Sequence, residues 1–258
     1  MTEILNTVSN GEGDGTPLLI AHGLFGTARN WGVLAKRLAD ERQVISVDMR
    51  NHGSSFRAAS NTYSDMAGDL ARVIESGRGL SNVLGHSMGG KAAMMLALSR
   101  PDLVDKLVVA DIAPVGYSHS QLDKITAMKA VDLSVVERRR DADEQLVDLV
   151  KDAPLRSFLL QSLTLGDEGA SWKLNLDALS DAMADVIGFP DIESVFEGEV
   201  LFLHGGKSDY VQPSHHAKIM GLFPNARFEA IEGAGHWLHA EKPREFEVAV
   251  RGFLGTTK

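Results

Sequence analysis

The chain has 258 residues, 44% hydrophobic and 24% charged, the proportions of a globular protein with room for one sizeable core. Its net charge of −9 excludes the basic footprint of a nucleic-acid binder, and Arg138-Arg139-Arg140, set among Glu137, Asp141, Asp143 and Glu144, reads as a solvated helix face. With no cysteine there are no disulfides or thiolates, and with a polar Met1 to Asn10 and no run near the roughly 20 apolar residues of a membrane span, a cytoplasmic protein with no membrane partner is expected.

Short apolar runs alternate with helical patterns, the signature of α/β architecture with a parallel sheet. Leu18 to Ala21 reads as a buried strand, preceded by a turn over Gly11 to Gly15, and an amphipathic helix follows from about Asn30 to Asp40. Val44 to Val47 is the next strand and ends in Asp48-Met49-Arg50-Asn51-His52-Gly53. A helix is expected over Tyr63 to Glu75, capped by Asn61 or Ser64. Then come a strand over Leu80 to Leu84, a helix from Met88 to Arg100 and a strand over Leu107 to Ala110 that ends at Asp111.

From Pro114 to about Glu197 the pattern contains no strand-like run. Helices are expected around Leu122 to Lys129, around Leu146 to Val150, after Pro154, and over Leu176 to Ile187, stopped by Gly188. The chain therefore divides into a core of residues 1–113 and 198–258 and a helical cap of residues 114–197. That insertion follows a strand's carboxyl end, where open parallel sheets bind ligands, so it is expected to roof the site. Strands over Val200 to Leu203 and Arg227 to Ile231 and a helix after Pro243 complete the core.

Gly85-His86-Ser87-Met88-Gly89 fits G-x-S-x-G between a strand and a helix. So tight a turn needs near-absent side chains two positions either side of the serine, and it holds the Ser87 hydroxyl clear of the sheet. Serine needs a base. Of nine histidines, His236 alone follows the last strand in a glycine-bearing loop, in the serine–acid–histidine order such a site requires. His239 reads as a residue that positions the next helix.

Two aspartates compete for the acid. Asp209 follows the strand Val200 to Leu203, and spacing favours it; Asp111 ends the preceding strand, one step nearer Ser87. For the oxyanion hole, the backbone N–H groups of Met88 and Leu24 are expected, with Phe25 as second choice, because Gly23 lets His22-Gly23-Leu24-Phe25-Gly26 turn sharply. Phe158, Trp172, Leu176 and Met183 are candidates for an acyl pocket or for the cap's own core. His52 reads as a loop-stabilising residue rather than a substrate contact. No nucleotide-binding glycine motif is present, and the adjacent pair His215-His216 points two ways on a helix, so no metal site is expected.

Taken with Asp111-Ile112-Ala113-Pro114-Val115, Asn175-Leu176-Asp177-Ala178-Leu179 and Gly233-Ala234-Gly235-His236-Trp237, these motifs make the chain resemble the α/β-hydrolase superfamily. More narrowly it is similar to the small YbfF-type esterases and the eukaryotic abhydrolase domain-containing protein 11. The resemblance implies a serine hydrolase of carboxylic esters with short to medium acyl chains, a helical cap, no cofactor and a small-molecule acyl ester as partner of a monomer or homodimer. It places Phe25 and Trp237 at the substrate. It also keeps Asp111 in play, since members of the group can lack an aspartate where Asp209 stands yet carry one where Asp111 stands. Acyl thioesters, carbon–carbon bond hydrolysis, or a receptor that retains the triad remain alternatives.

Overall fold

Each buried strand sends alternate residues to opposite faces of one sheet, and both faces are covered. In the computed structural model, which describes residues 3–255, the strands are β1 (Thr7–Ala21), β2 (Arg42–Val47), β3 (Ser81–His86), β4 (Val104–Ala110), a separate hairpin of β5 (Leu163–Gly166) and β6 (Gly169–Trp172), then β7 (Glu199–Gly205) and β8 (Ala226–Ile231). The main sheet runs β2-β1-β3-β4-β7-β8. Parallel register aligns Ile20 with Leu84, Leu84 with Val108 and Val108 with Leu201, so these four make one row on one face. Their neighbours Leu19, Val83, Leu107, Val109 and Phe202 pack on the other.

Helices cover those faces: α1 (Gly32–Leu38), α2 (Tyr63–Glu75), α3 (Met88–Ser99), α4 (Leu122–Lys129), α5 (Arg139–Leu146), α6 (Ala153–Leu159), α7 (Leu176–Asp181), α8 (Met183–Ile187), α9 (His216–Leu222), α10 (Leu238–Glu241) and α11 (Pro243–Leu254). Leu34 and Leu38 of α1 pack with Phe246, Val250 and Leu254 of α11 under one face; α2 and α3 lie on the other. Among the described residues no helix is long and apolar enough to cross a membrane.

The strand–helix alternation is the expected one, with four differences. The Gly11 to Gly15 stretch lies within β1 rather than forming a separate turn. The register against β2 reverses across it, from Thr7↔Val47 through Asn10↔Val44 to Leu18↔Val44 through Ala21↔Val47. The cap of α2 is Thr62, whose side chain accepts from the Asp65 N–H, because the helix starts one residue after it; Asn61 is instead buried and accepts from Asn51. In the 114–197 segment, the helix expected around Leu146 to Val150 ends at Leu146. The segment is not purely helical either. The β5–β6 hairpin is too short for an apolar run and buries only Leu163 and Trp172 at its ends.

This segment is anchored to the loop after β2. Asn175 donates from its backbone to the Asn51 carbonyl (2.9 Å) and from its side chain to Asn51 Oδ1 (3.0 Å), and Leu174 bridges His52. The loop is in turn fixed by Asp48, which accepts from the Ala28 and Ser54 amides at 2.8 Å each, and by a buried bidentate pair of Arg50 with Asp69. Two motifs far apart in the chain thus hold one junction.

Candidate active site

At the end of β3 the chain turns into α3 within one residue. Ser87 takes φ +53° and ψ −118°, a conformation that costs about 1–3 kcal/mol for a residue with a side chain. Its N–H donates to the Ala110 carbonyl and its carbonyl accepts from the Lys91 N–H, both at 3.0 Å, which fixes the strained turn. Glycine is required on both sides. A Cβ on Gly85 would lie 2.2 Å from the Gly89 carbonyl oxygen, and one on Gly89 would lie 2.4 Å from that of Ala21.

The Ser87 hydroxyl donates to Nε2 of His236 at 3.1 Å, and Nδ1–H of the same ring donates to Asp111 Oδ2 at 2.7 Å. Asp111 is fully buried, with φ +52°, and it also accepts from the Gly205 amide (3.0 Å) and the Ser208 hydroxyl (2.5 Å). Spacing favours Asp209, and here the structure corrects it. Asp209 is exposed, and the loop after β7 reaches the acid through Ser208, its neighbour, rather than meeting the ring itself. The carboxylate belongs to β4, whose end lies beside that of β7 in the sheet.

His236 is held on two sides. The Tyr210 ring stacks on it at 4.1 Å with an interplanar angle of 22°, and its own carbonyl accepts from His86 Nε2–H at 2.9 Å. Tyr210 is tied to the 114–197 segment, its hydroxyl lying 2.6 Å from His119 Nε2 and its carbonyl accepting from the Tyr117 hydroxyl at 2.7 Å. None of these contacts was legible from spacing, since the partners are scattered single aromatics.

The amides of Met88 and Leu24 donate to no other described group, whereas the Phe25 amide donates to His52 Nε2 at 3.2 Å. Phe25 is thereby removed as an alternative donor. His52 in turn donates from Nδ1 to the Arg50 carbonyl (2.8 Å), and His22 does the same to Gly23 (2.8 Å) while accepting from the Met49 amide at 3.0 Å. Each ring must stay neutral to accept those bonds. Burial lowers His22 and holds His52 down at about 3, where a second effect is the repulsion that protonating both neighbouring rings would bring. His52 is thus a loop-stabilising residue, and His22 is a second one that the sequence reading did not single out. The adjacent His-Gly pair at the end of β1 was its only signal.

Ser87 opens on a cavity of about 280 Å³. Phe25 and Trp237 line it, and Leu155 and Phe158 from α6 and Val186 and Ile187 from α8 bring the 114–197 segment to the same space. Of the four cap residues considered for an acyl pocket, Phe158 lines the cavity. Trp172, Leu176 and Met183 are buried in the hydrophobic core instead. His239, expected at a helix entry, lies in the cavity wall stacked on Trp31 at 4.3 Å. His215 and His216 point apart, one to the Gln212 amide and the other stacked on Phe228, and no cluster among the described residues could hold a metal ion.

The chain's similarities agree with this geometry. A family model described as the alpha/beta hydrolase fold matches residues 16–243. The sn-1-specific diacylglycerol lipase ABHD11 of Mus musculus is 43% identical over 254 residues, covering 94% of this chain and 83% of that protein. Esterase YbfF of Escherichia coli K12 is 38% identical, covering 93% of each. Among solved structures, one described as a marine microorganism esterase superposes with a TM-score of 0.93 at 37% identity, covering 98% of this chain and all of the other. This chain belongs to the α/β-hydrolase fold family.

Proposed function

We propose that the chain is a serine-dependent hydrolase of carboxylic esters that works through an acyl-enzyme. The observation that carries the reading is the unbroken line of hydrogen bonds from the Ser87 hydroxyl through His236 to Asp111. His236 takes the proton as Ser87 attacks the ester carbonyl, and Asp111 holds the ring in the Nδ1–H tautomer and stabilises the imidazolium. The developing oxyanion is received by the free amides of Leu24 and Met88 at the N-terminus of α3. Departure of the alcohol with the His236 proton leaves an acyl-serine, and water activated by the same ring releases the acid.

The 114–197 segment serves as a cap domain over this site, and residues 1–113 and 198–258 form the core domain that carries the catalytic groups. The surface of the cavity is mostly apolar, with Phe25, Phe158, Trp237 and Val186 contributing, and its size suits short to medium acyl chains of a small-molecule ester. Relatives named as an esterase and a lipase support the same reaction class. Aryl esters of two to eight acyl carbons test the reading on wild type and Ser87→Ala. Many turnovers per molecule, reduced by about 10⁶-fold in the variant, are expected. One equivalent of product with no further release would instead mark a receptor that is acylated once.

A further inference from the structure

Among the residues lining the cavity Lys91 is the one lysine, and no aspartate or glutamate lines it. Lys91 follows Ser87 by one turn of α3, about 6 Å along the axis, and both side chains face the same space. The Lys91 ammonium donates to the carbonyl oxygens of Ile187 (2.9 Å) and Gly188, where α8 ends. The Tyr117 and Tyr63 rings flank it at 4.8 and 5.7 Å. An ammonium has three donors, and the two carbonyls occupy two of them.

Two dipoles and two aromatic faces do not offset the desolvation of a buried cation. Burial accordingly pushes the Lys91 amine down to about 7, with no acidic neighbour acting against it. A link needed only to hold the end of α8 would be made equally well by a neutral donor, with no charge to bury. What the site lacks is an anion, and the cavity is the route by which one arrives.

We propose that Lys91 is a specificity-determining residue that receives a carboxylate borne on the acyl chain, so that half-esters of short dicarboxylic acids are preferred substrates. This deepens the esterase reading and rests on it. With the scissile carbonyl at Ser87, the distal carboxylate takes the third N–H of Lys91 and completes a buried, charge-assisted pair. The chemistry at Ser87 is unchanged, and the charge on Lys91 selects which acyl group is held there.

Proton release from monomethyl succinate, glutarate and adipate is compared with that from methyl pentanoate on wild type, Lys91→Met and Lys91→Arg, each checked for folding by its thermal melt. For at least one half-ester, kcat/KM should exceed that for methyl pentanoate, and Lys91→Met should lower this ratio by about tenfold or more, mainly through KM. Lys91→Arg should keep more of the ratio than Lys91→Met. Equal losses on both kinds of ester overturn the proposal and leave Lys91 as a latch for α8; so does a wild type that prefers methyl pentanoate to all three half-esters. If no methyl ester turns over, the esterase reading fails on its own account, and calorimetric titration of Ser87→Ala with monomethyl glutarate decides the role of Lys91. A Kd raised about tenfold by adding Lys91→Met supports the anion site, and an unchanged Kd or no binding overturns it.

Discussion

Asp111 and His236 are 125 residues apart in the chain, yet Oδ2 of one lies 2.7 Å from Nδ1 of the other. The carboxylate is held in this orientation by two further donors, the Gly205 amide on Oδ1 and the Ser208 hydroxyl on Oδ2. Asp111→Asn places an amide N–H or a weaker acceptor against the ring and disturbs its tautomer, so kcat on an aryl ester should fall by about 10⁴-fold. Asp209→Asn alters an exposed side chain and should leave kcat near the wild-type value. The reverse result would move the acid to the loop after β7.

How much of this site could be read from the sequence differs from residue to residue. Ser87 was legible because its turn needs two glycines at fixed positions, and His236 because, of the two histidines after the last strand, it alone sits in the glycine-bearing loop. Asp111 and Asp209 could not be separated, since both follow the ends of neighbouring strands and only the three-dimensional course of the chain after each strand decides which carboxylate meets the ring. The strand and helix alternation of the core was legible because β3, β7, most of β4 and the second half of β1 are buried on both faces and appear as apolar runs. The β5–β6 hairpin was not, because two four-residue strands burying one residue each leave no period to detect. Lys91 and Tyr210 owe their importance to contacts with Gly188, His119 and His236, which no local pattern encodes.

Tyr210 joins the 114–197 segment to the imidazole, and its two contacts are separable. Tyr210→Phe removes the hydrogen bond with His119 but keeps the ring over His236 and edge-on to His119, while Tyr210→Ala removes them all. An aromatic stack is worth about 0.5–1.5 kcal/mol, so Tyr210→Ala should lower kcat by about three- to tenfold with a smaller change in KM. Tyr210→Phe should lie close to wild type. Equal effects of both variants would mean that His119, rather than the stack, governs the ring.

Stability should fall on mild acidification, and the buried histidines explain the direction. Burial lowers His22 and His86, holds His52 at about 3 and holds His239 at about 4, with the charge of His236 adding to the last. Their ordinary value is 6.5, so between about pH 6.5 and 4 the unfolded chain binds protons that the folded chain refuses. The stability contributed by these neutral rings is therefore complete above pH 6.5 and declines below it, by up to about 1.4 kcal/mol per pH unit for each ring. His239→Phe preserves an aromatic ring over Trp31 and deletes one such group. Urea unfolding at pH 6 and pH 5 should show a shallower loss for the variant, by about 1 kcal/mol per unit. Parallel losses would mean that His239 is protonated in the folded chain.

The turn that exposes Ser87 predicts an opposition between stability and activity. At φ +53° and ψ −118° a glycine is at ease and any other residue is strained, so Ser87→Gly should release part of that strain while removing the nucleophile. Glycine also gains freedom in the unfolded chain, which takes back up to about 1 kcal/mol. Ser87→Ala separates the two effects, because it lacks the hydroxyl but retains the Cβ that makes the conformation costly. Both variants should be inactive, and Ser87→Gly should melt above Ser87→Ala by about 2–4 °C, the shift that 1 kcal/mol produces in a domain of this size. Coincident melting curves would mean that the bond from the Ser87 amide to Ala110, and the close passage of Gly89 beside Ala21, hold the turn without strain at the serine itself.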